Sequence, residues 1–107
     1  MSDELLNKKQ IIKQISEYTG WEFVEDENCI RKKFEFVDFI TCWSVMSQIA
    51  MYAEKFNHHP DWVNVYNKLE IKLNTHDLGG VSTKDINLMK KIEVAVKNRA
   101  NLDAYSI

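Results

Sequence analysis

The sequence predicts a two-layer α+β fold, in which helices pack on one face of a four-stranded antiparallel sheet. Two observations predict it: amphipathic helical segments lie at the start, middle and end of the chain, and paired segments with strand-like alternation separate them. The predicted order is therefore α-β-β-α-β-β-α. A chain of 107 residues has the length of one domain, so residues 1–107 are expected to form a single unit with its own core.

The first predicted helix covers residues 2–20. Ser2 or Asp3 can cap its N-terminus, and Gly20 is a natural end for it. Its buried face is expected to contain Leu5, Ile12, Ile15 and Tyr18.

The segment from residue 21 to residue 36 predicts a hairpin. Trp21 and Phe23 alternate with polar neighbours, and the turn-like run EDEN follows them. Beyond that run, one parity of the chain carries Ile30, Phe34 and Phe36. This alternation indicates that one face of the second strand is buried.

The second predicted helix begins after Asp38, which can cap it, and ends near Asn57. The end is placed there because Pro60 follows, and the residue before a proline avoids the helical conformation. Apolar residues spaced by three and four predict its buried stripe, which consists of Phe39, Trp43, Met46, Ala50 and Ala53.

The remaining part of the chain predicts a second hairpin and a last helix. Asn67 and Lys68 are the expected turn, and the buried face of the following strand is Leu69, Ile71 and Leu73. After the break at Gly79 and Gly80, Ser82 and Asp85 resemble a capping box. The apolar face of the last helix is predicted to be Ile86, Met89, Ile92 and Val96.

The composition excludes several classes of partner. A net charge of -2, from 14 basic and 16 acidic residues, gives no electrostatic footprint for direct nucleic-acid binding. The chain has no apolar run long enough for a membrane span and no signal peptide. Cys29 and Cys42 form neither a disulfide framework nor a zinc-ribbon spacing, so they predict buried thiols in a cytoplasmic protein. Unprotected sheet edges favour a homo-oligomer.

All three histidines, His58, His59 and His76, fall at predicted ends of a helix or a strand. Side chains at such ends converge on clefts, and imidazoles exchange protons near neutral pH. Glu54 precedes His58 by one helical turn and could orient it or favour its charged form. The residues thus favour proton-transfer chemistry, which means elimination, hydration or isomerisation.

Other interpretations of these residues stay open at this point. The histidine pair before Pro60 is also compatible with a polar helix exit, and three histidines with a water are a known zinc set. Trp62 and Tyr66 could stack on a flat heterocycle or pack in the core. Asp85 could orient a histidine, cap the last helix, or do both.

A spaced set of residues runs through this region: Glu54, His58, His59, Pro60, Tyr66, His76 and Asp85. It resembles the signature of the pterin-4a-carbinolamine dehydratases, and the likeness extends through DWVNVYNKLEIKL, THDLGG and STKDINL. The resemblance implies loss of water from 4a-hydroxytetrahydrobiopterin, giving the quinonoid dihydropterin in tetrahydrobiopterin recycling. It also implies that no metal and no organic cofactor is needed.

The resemblance implies roles for individual residues. His58 and His76 are expected to supply the general acid and base, in an order that the sequence leaves open, while His59 binds and positions the pterin. Asp85 is expected to support this set from behind the pocket. The expected substrate-binding residues are Glu54, Asn57, Pro60, Trp62, Thr75, Asp77 and Leu78.

The resemblance also implies partners. The substrate would be a small pterin, and the protein would be a homodimer or a homotetramer. Some animal members bind a homeodomain transcription factor through a helical surface. An alternative function as a protein-interaction module, and a nuclear location beside the cytoplasmic one, therefore stay open.

Overall fold

The computed structural model describes residues 3–99. Its elements follow the predicted order: α1 Lys8–Ile15, β1 Glu22–Val24, β2 Cys29–Glu35, α2 Phe39–Phe56, β3 Asp61–Val65, β4 Lys68–Leu73 and α3 Thr83–Lys97. The four strands form one antiparallel sheet in the order β1-β2-β4-β3. The predicted α+β class and the element order are confirmed.

The two central strands, β2 and β4, supply the floor of the core. Ile30 pairs with Leu73 and Phe34 with Leu69, so their inward side chains lie on the same face of the sheet. These four side chains are buried, and they pack in one cluster with apolar residues of the three helices. Between them along the strands, charged side chains such as Lys33 point to the opposite face. The predicted alternation is confirmed.

The first helix is shorter than predicted, because it begins at Lys8. Asn7 caps it: its side chain accepts from the Gln10 N–H at 2.9 Å, and the Gln10 side chain accepts from the Asn7 N–H at 2.9 Å. The preceding residues are extended, since the Leu6 N–H donates to the Val81 carbonyl. The expected start after Ser2 or Asp3 is therefore wrong.

The buried face of α1 also differs from the expected one. Ile11 and Ile15 are buried, whereas Leu5 and Ile12 are about half exposed. The helix ends at Ile15, and Gly20 lies beyond it with a φ of +95°. Starting the helix at Lys8 moves Leu5 into an extended segment, where it pairs with Ser82 instead.

The bounds of α2 are confirmed, but the predicted stripe is not. Asp38 caps the helix by accepting from the Thr41 N–H at 2.8 Å, and the helix ends just before Asn57. Phe39 and Trp43 are 44% and 56% exposed, and Ala50 is also exposed. The residues that face the core are Cys42, Val45, Met46, Ile49 and Ala53. Apolar residues occur on both faces of this helix, so spacing alone admits two stripes.

The second hairpin turns one residue earlier than predicted. Tyr66 and Asn67 connect β3 to β4, and Tyr66 adopts a left-handed φ of +53°. The Asn67 side-chain amide donates to the Phe36 carbonyl at 2.8 Å, which ties the turn to the end of β2. The turn therefore consists of Tyr66 and Asn67 rather than the predicted Asn67 and Lys68, and the Asn67 side chain helps to hold it in place.

The last helix, α3, has the capping box that the sequence predicts. The Ser82 side chain caps the first turn, and the Asp85 carboxylate accepts from the Ser82 N–H at 2.8 Å. Of the predicted face, three side chains are buried and Val96 is half-buried. The buried ones are Ile86, Met89 and Ile92.

Both cysteines are buried free thiols, as predicted. Burial raises the pKa of Cys29 and of Cys42, so little reactive thiolate forms at neutral pH. Among the helices of residues 3–99, none has the length and apolar character that crossing a membrane requires.

Candidate active site

The end of α2, the turn after β4 and the start of α3 surround a cavity of about 200 Å³. All three histidines line this cavity. Its wall is formed by Asn57, His58, His59, Asn74, Thr75, His76, Asp77 and Lys84. The structure thus brings together six of the predicted site residues and two residues that were not predicted.

A left-handed residue separates the two adjacent histidines from α2. Asn57 has a φ of +52°, a conformation that asparagine tolerates better than most residues. The His58 N–H then donates to the Ala53 carbonyl at 2.9 Å, which closes the helix end. Beyond this turn His58 is buried, while the side chain of His59 is 60% exposed.

The buried histidine contacts a buried carboxylate. The His58 Nε2 atom lies 2.6 Å from Asp85 Oδ1, and Asp85 has no exposed surface. The other oxygen, Oδ2, accepts from the Thr75 hydroxyl and from the Ser82 N–H, each at 2.8 Å. Asp85 therefore orients His58 and caps α3 at once, which resolves the alternatives that the sequence leaves open.

The exposed histidine has a different partner. His59 Nε2 lies 2.9 Å from Glu54 Oε1, at a site where both side chains are largely exposed. Helical spacing places Glu54 beside His58, whereas the structure pairs Glu54 with His59 instead. The reason is the left-handed turn at Asn57, which rotates His58 away from the surface of the helix.

The third histidine begins a single 3₁₀ turn, His76–Leu78. The base of this loop is closed by two backbone hydrogen bonds between Thr75 and Gly80, of 2.7 and 3.3 Å. Gly79 ends the turn with a φ of +77°, which glycine adopts without strain. His76 is exposed to the cavity, and within residues 3–99 its ring has no hydrogen-bond partner.

Some predicted site residues lie outside the cavity wall. Trp62 is half-buried on the side of the sheet that packs on the core, and Tyr66 is 64% exposed at the hairpin turn. Neither stacks over the cavity in this structure. Glu54, Pro60 and Leu78 also lie outside the wall. Their predicted contacts with substrate stay predictions.

Asn74 and Lys84 line the cavity although they are not among the predicted site residues. Asn74 directly follows β4, and Lys84 lies in the first turn of α3 with its Nζ 3.9 Å from Asp3 Oδ2. Their positions beside Thr75 and Ser82 are the only signal that the sequence offers. Lys84 adds a positive charge to the wall, opposite in sign to Asp77.

The donor groups of the site do not form a metal cage. Within the part of the chain that the structure describes, no three His, Cys, Asp or Glu side chains converge on one point. Three imidazoles around a small cavity, one of them held by a buried carboxylate, can instead donate and accept protons on a single bound molecule.

Comparison with known proteins identifies the family of the chain. A family model described as "Pterin 4 alpha carbinolamine dehydratase" matches residues 4–95. The chain belongs to this family. A Rhizobium johnstonii protein named "Putative pterin-4-alpha-carbinolamine dehydratase" is 40% identical over 95 residues, covering 89% of this chain and 94% of that protein. A Prochlorococcus marinus (strain MIT 9515) protein of the same name is 42% identical over 92 residues, covering 86% and 94%.

A solved structure has the same fold as this member of the pterin 4 alpha carbinolamine dehydratase family. It is described as "transcriptional coactivator/pterin dehydratase from Brucella Melitensis". The two structures superpose with a TM-score of 0.83 and share 35% sequence identity, over 86% of this chain and 98% of the other. The family match covers α1 to α3 as far as residue 95, and so includes every residue of the cavity wall.

Proposed function

We propose that this protein is a 4a-hydroxytetrahydrobiopterin dehydratase that works by histidine general acid–base catalysis. The observation that supports this most directly is the cavity itself, in which three imidazoles from two separate segments of the chain line one small space. Family membership supplies the substrate class, and the geometry supplies groups suited to the chemistry. In tetrahydrobiopterin recycling, this step would follow the hydroxylation that forms the 4a-carbinolamine.

The reaction needs two proton transfers on neighbouring atoms of the pterin. One group protonates the 4a-hydroxyl so that it leaves as water, and another removes the proton from N5 as the C4a=N5 bond forms. His58 and His76 are proposed to supply these groups, and His59 to bind and position the ring. Thr75, Asp77 and Asn57 are proposed to contact the pterin from the cavity wall, where they lie.

The decisive experiment follows the decay of freshly generated 4a-hydroxytetrahydropterin by absorbance. Chelator-treated protein is expected to accelerate the decay, and His76→Ala is expected to lose about 10²-fold or more of this acceleration, as removal of a general acid or base does. Folded wild-type protein without acceleration would contradict the proposal. Activity that disappears with chelator and returns with zinc would favour the metal alternative.

A second proposal concerns self-association. The outward face of α2 carries exposed Phe39, Ile40, Trp43 and Met51, and the rings of Phe39 and Trp43 lie 6.1 Å apart. Exposed apolar patches of this kind mark interaction surfaces. We propose that this face joins copies of the chain into a homodimer or homotetramer. Light scattering should give two or four copies, and Trp43→Glu should reduce that number; a monomeric wild type would contradict it.

The same face is a candidate for a different partner. The Brucella melitensis structure is described as both a coactivator and a dehydratase. A transcription-factor partner of this chain, and its location in the cytoplasm or the nucleus, stay predictions. A pull-down with wild-type protein and Trp43→Glu would show whether any captured partner uses this face.

A further inference from the structure

We propose that a basic groove along α3, next to the cavity lined by the three histidines, binds a negatively charged side chain of the pterin substrate. The proposal rests on the proposed dehydratase function. It extends that function from the uncharged side chain of tetrahydrobiopterin to side chains that end in a phosphate or carboxylate group. The basic groove has a volume of about 420 Å³ and is lined by Asp3, Phe56, Lys84, Asn87, Lys90, Lys91 and Val94.

The basic groove adjoins the histidine cavity. Lys84 lines both spaces, so they meet at this side chain. From there the groove follows one face of α3, because residues spaced by three and four lie on the same side of a helix. The residues on that face are Lys84, Asn87, Lys91 and Val94. A substituent that leaves the histidine cavity past Lys84 therefore enters the groove.

The histidine cavity is small for a complete substrate. Ligand sites usually have volumes of about 300–1,000 Å³, whereas this cavity has about 200 Å³, so a long substituent on a bound ring has to extend beyond it. A second adjoining space, which shares Asn74 with the cavity, has only about 80 Å³, and its wall carries Glu27 and Asp61. Size therefore favours the basic groove as the place for the substituent.

The charge of the groove selects the kind of substituent. Three lysines and one aspartate give its wall a net charge of +2, although the whole chain carries -2. The aspartate, Asp3, lies beside Lys84, with 3.9 Å between Oδ2 and Nζ. Within residues 3–99, neither Lys90 nor Lys91 lies within ion-pair distance of a carboxylate. Two ammonium groups, each with three donors, are thus available to an anion.

Apolar surface between the lysines suits the chain that would join the ring to the anion. Phe56 lies half-buried in the last turn of α2, two residues before His58, and Val94 is 43% exposed. The Lys91 ammonium lies 5.5 Å from the centroid of the Tyr52 ring, a distance at which cation–π attraction acts. The groove therefore matches a short chain with a terminal negative charge.

The test compares two substrates that differ only in charge. One is a 4a-hydroxytetrahydropterin with a trihydroxypropyl side chain, and the other carries a phosphate monoester on the terminal hydroxyl. Wild-type protein is expected to have about a tenfold higher kcat/KM for the phosphorylated compound, mainly through a lower KM, because several exposed ion pairs each contribute modestly. Raising the ionic strength from about 0.01 M to about 1 M should remove most of the difference, since the screening length falls from about 30 Å to about 3 Å.

A double variant of the groove, Lys90→Gln with Lys91→Gln, is expected to reduce the preference for the phosphorylated compound to about threefold or less. The matched control is Lys9→Gln with Lys13→Gln, which changes the net charge equally on the exposed surface of α1, outside both spaces. This control should keep the wild-type preference. Circular dichroism identifies the variants that are folded.

A third compound, with a carboxylate in place of the phosphate, identifies the anion that the groove prefers. A preference for either anionic compound over the uncharged one, lost in the groove variant, supports the proposal. Equal kcat/KM values of the wild type for all three compounds would overturn it. So would a preference that the α1 control reduces as much as the groove variant does.

A binding measurement separates the groove from the chemistry. The 7,8-dihydropterins with the same side chains have no 4a-hydroxyl to lose, and calorimetric titration gives their Kd values. A folded wild type that binds the phosphorylated compound about tenfold more tightly, yet dehydrates none of the substrates, would overturn the proposed function and leave the groove. Dehydration of the uncharged substrate, with no preference in Kd or in kcat/KM, would overturn the groove and leave the function.

Discussion

His58 and His59 are neighbours in the chain, and each contacts a carboxylate, yet their surroundings are opposite. His58 lies 2.6 Å from Asp85, which is fully buried. His59 lies 2.9 Å from Glu54, whose side chain is 81% exposed. A hydrogen bond is electrostatically stronger away from water, whereas exposed polar pairs are screened and contribute little. The same pair of functional groups is therefore rigid in one position and adjustable in the next.

This difference teaches that the backbone, rather than the residue type, decides the surroundings of each imidazole. A single left-handed residue, Asn57, turns His58 into the protein and leaves His59 at the surface. A fixed imidazole suits proton transfer, where geometry must be held closely. An exposed one suits contact with a ligand that enters and leaves.

The largest expected effect is a difference in catalysis between variants of the two histidines. His58→Gln is expected to lower kcat by about 10³-fold, because it removes a group that is proposed to exchange a proton in the transition state. His59→Gln is expected mainly to raise KM, with kcat within about fivefold of wild type. Steady-state kinetics of the two purified variants check this. Equal losses of kcat would remove the distinction between fixed and adjustable imidazoles.

The next effect separates the two carboxylates in stability. Asp85→Ala is expected to destabilise the fold by about 3 kcal/mol, since it removes a helix cap and leaves buried polar groups of His58, Thr75 and Ser82 without their partner. Glu54→Ala is the matched control, with an expected change below about 0.5 kcal/mol. Urea unfolding measures both. Similar values for the two variants would show that the burial of Asp85 carries no energetic weight.

The smallest effect tests the residue that separates the two environments. Asn57→Ala is expected to cost about 1 kcal/mol, because a left-handed conformation is unfavourable for a residue with an ordinary β-carbon. Asn57→Gly should be close to neutral, since glycine adopts this conformation freely. Thermal unfolding of the two variants provides the comparison. Should alanine be tolerated as well as glycine, the turn is not what holds the two rings apart.

The sequence predicts most of the fold because its strands alternate cleanly and its later caps are unambiguous. Asp38, Ser82 and Asp85 all occupy the capping positions expected for them. The predicted start of α1 is wrong because the sequence contains two possible capping sites close together. Asn7 with Gln10 forms the box, while the earlier residues pair with the region around Val81, a long-range contact that local spacing does not encode.

The predicted buried face of α2 is wrong for a related reason. The helix is apolar on more than one side, and spacing cannot tell which side meets the sheet and α3. Trp43 is exposed while Cys42, its neighbour, is fully buried. Selecting the correct face requires knowledge of the neighbouring elements, which only the folded chain supplies.

The candidate site is likewise predictable from the sequence only in part. The sequence predicts that the three histidines share a cleft, and the structure brings them to one cavity. It does not predict which carboxylate meets which histidine, because the left-handed turn at Asn57 is invisible to helical spacing. It also misses Asn74 and Lys84, which are ordinary polar residues until the loops bring them to the cavity wall.

Asp85 closes the first turn of α3 and holds His58 with the same carboxylate. The start of this helix therefore cannot unravel while the imidazole keeps its orientation. On heating, fraying of that turn would disturb the orientation of His58 before the rest of the fold unfolds. The temperature at which activity is lost should therefore lie at or below the melting temperature. Attempts to make the protein more heat-resistant should therefore reinforce this turn and leave its carboxylate unchanged.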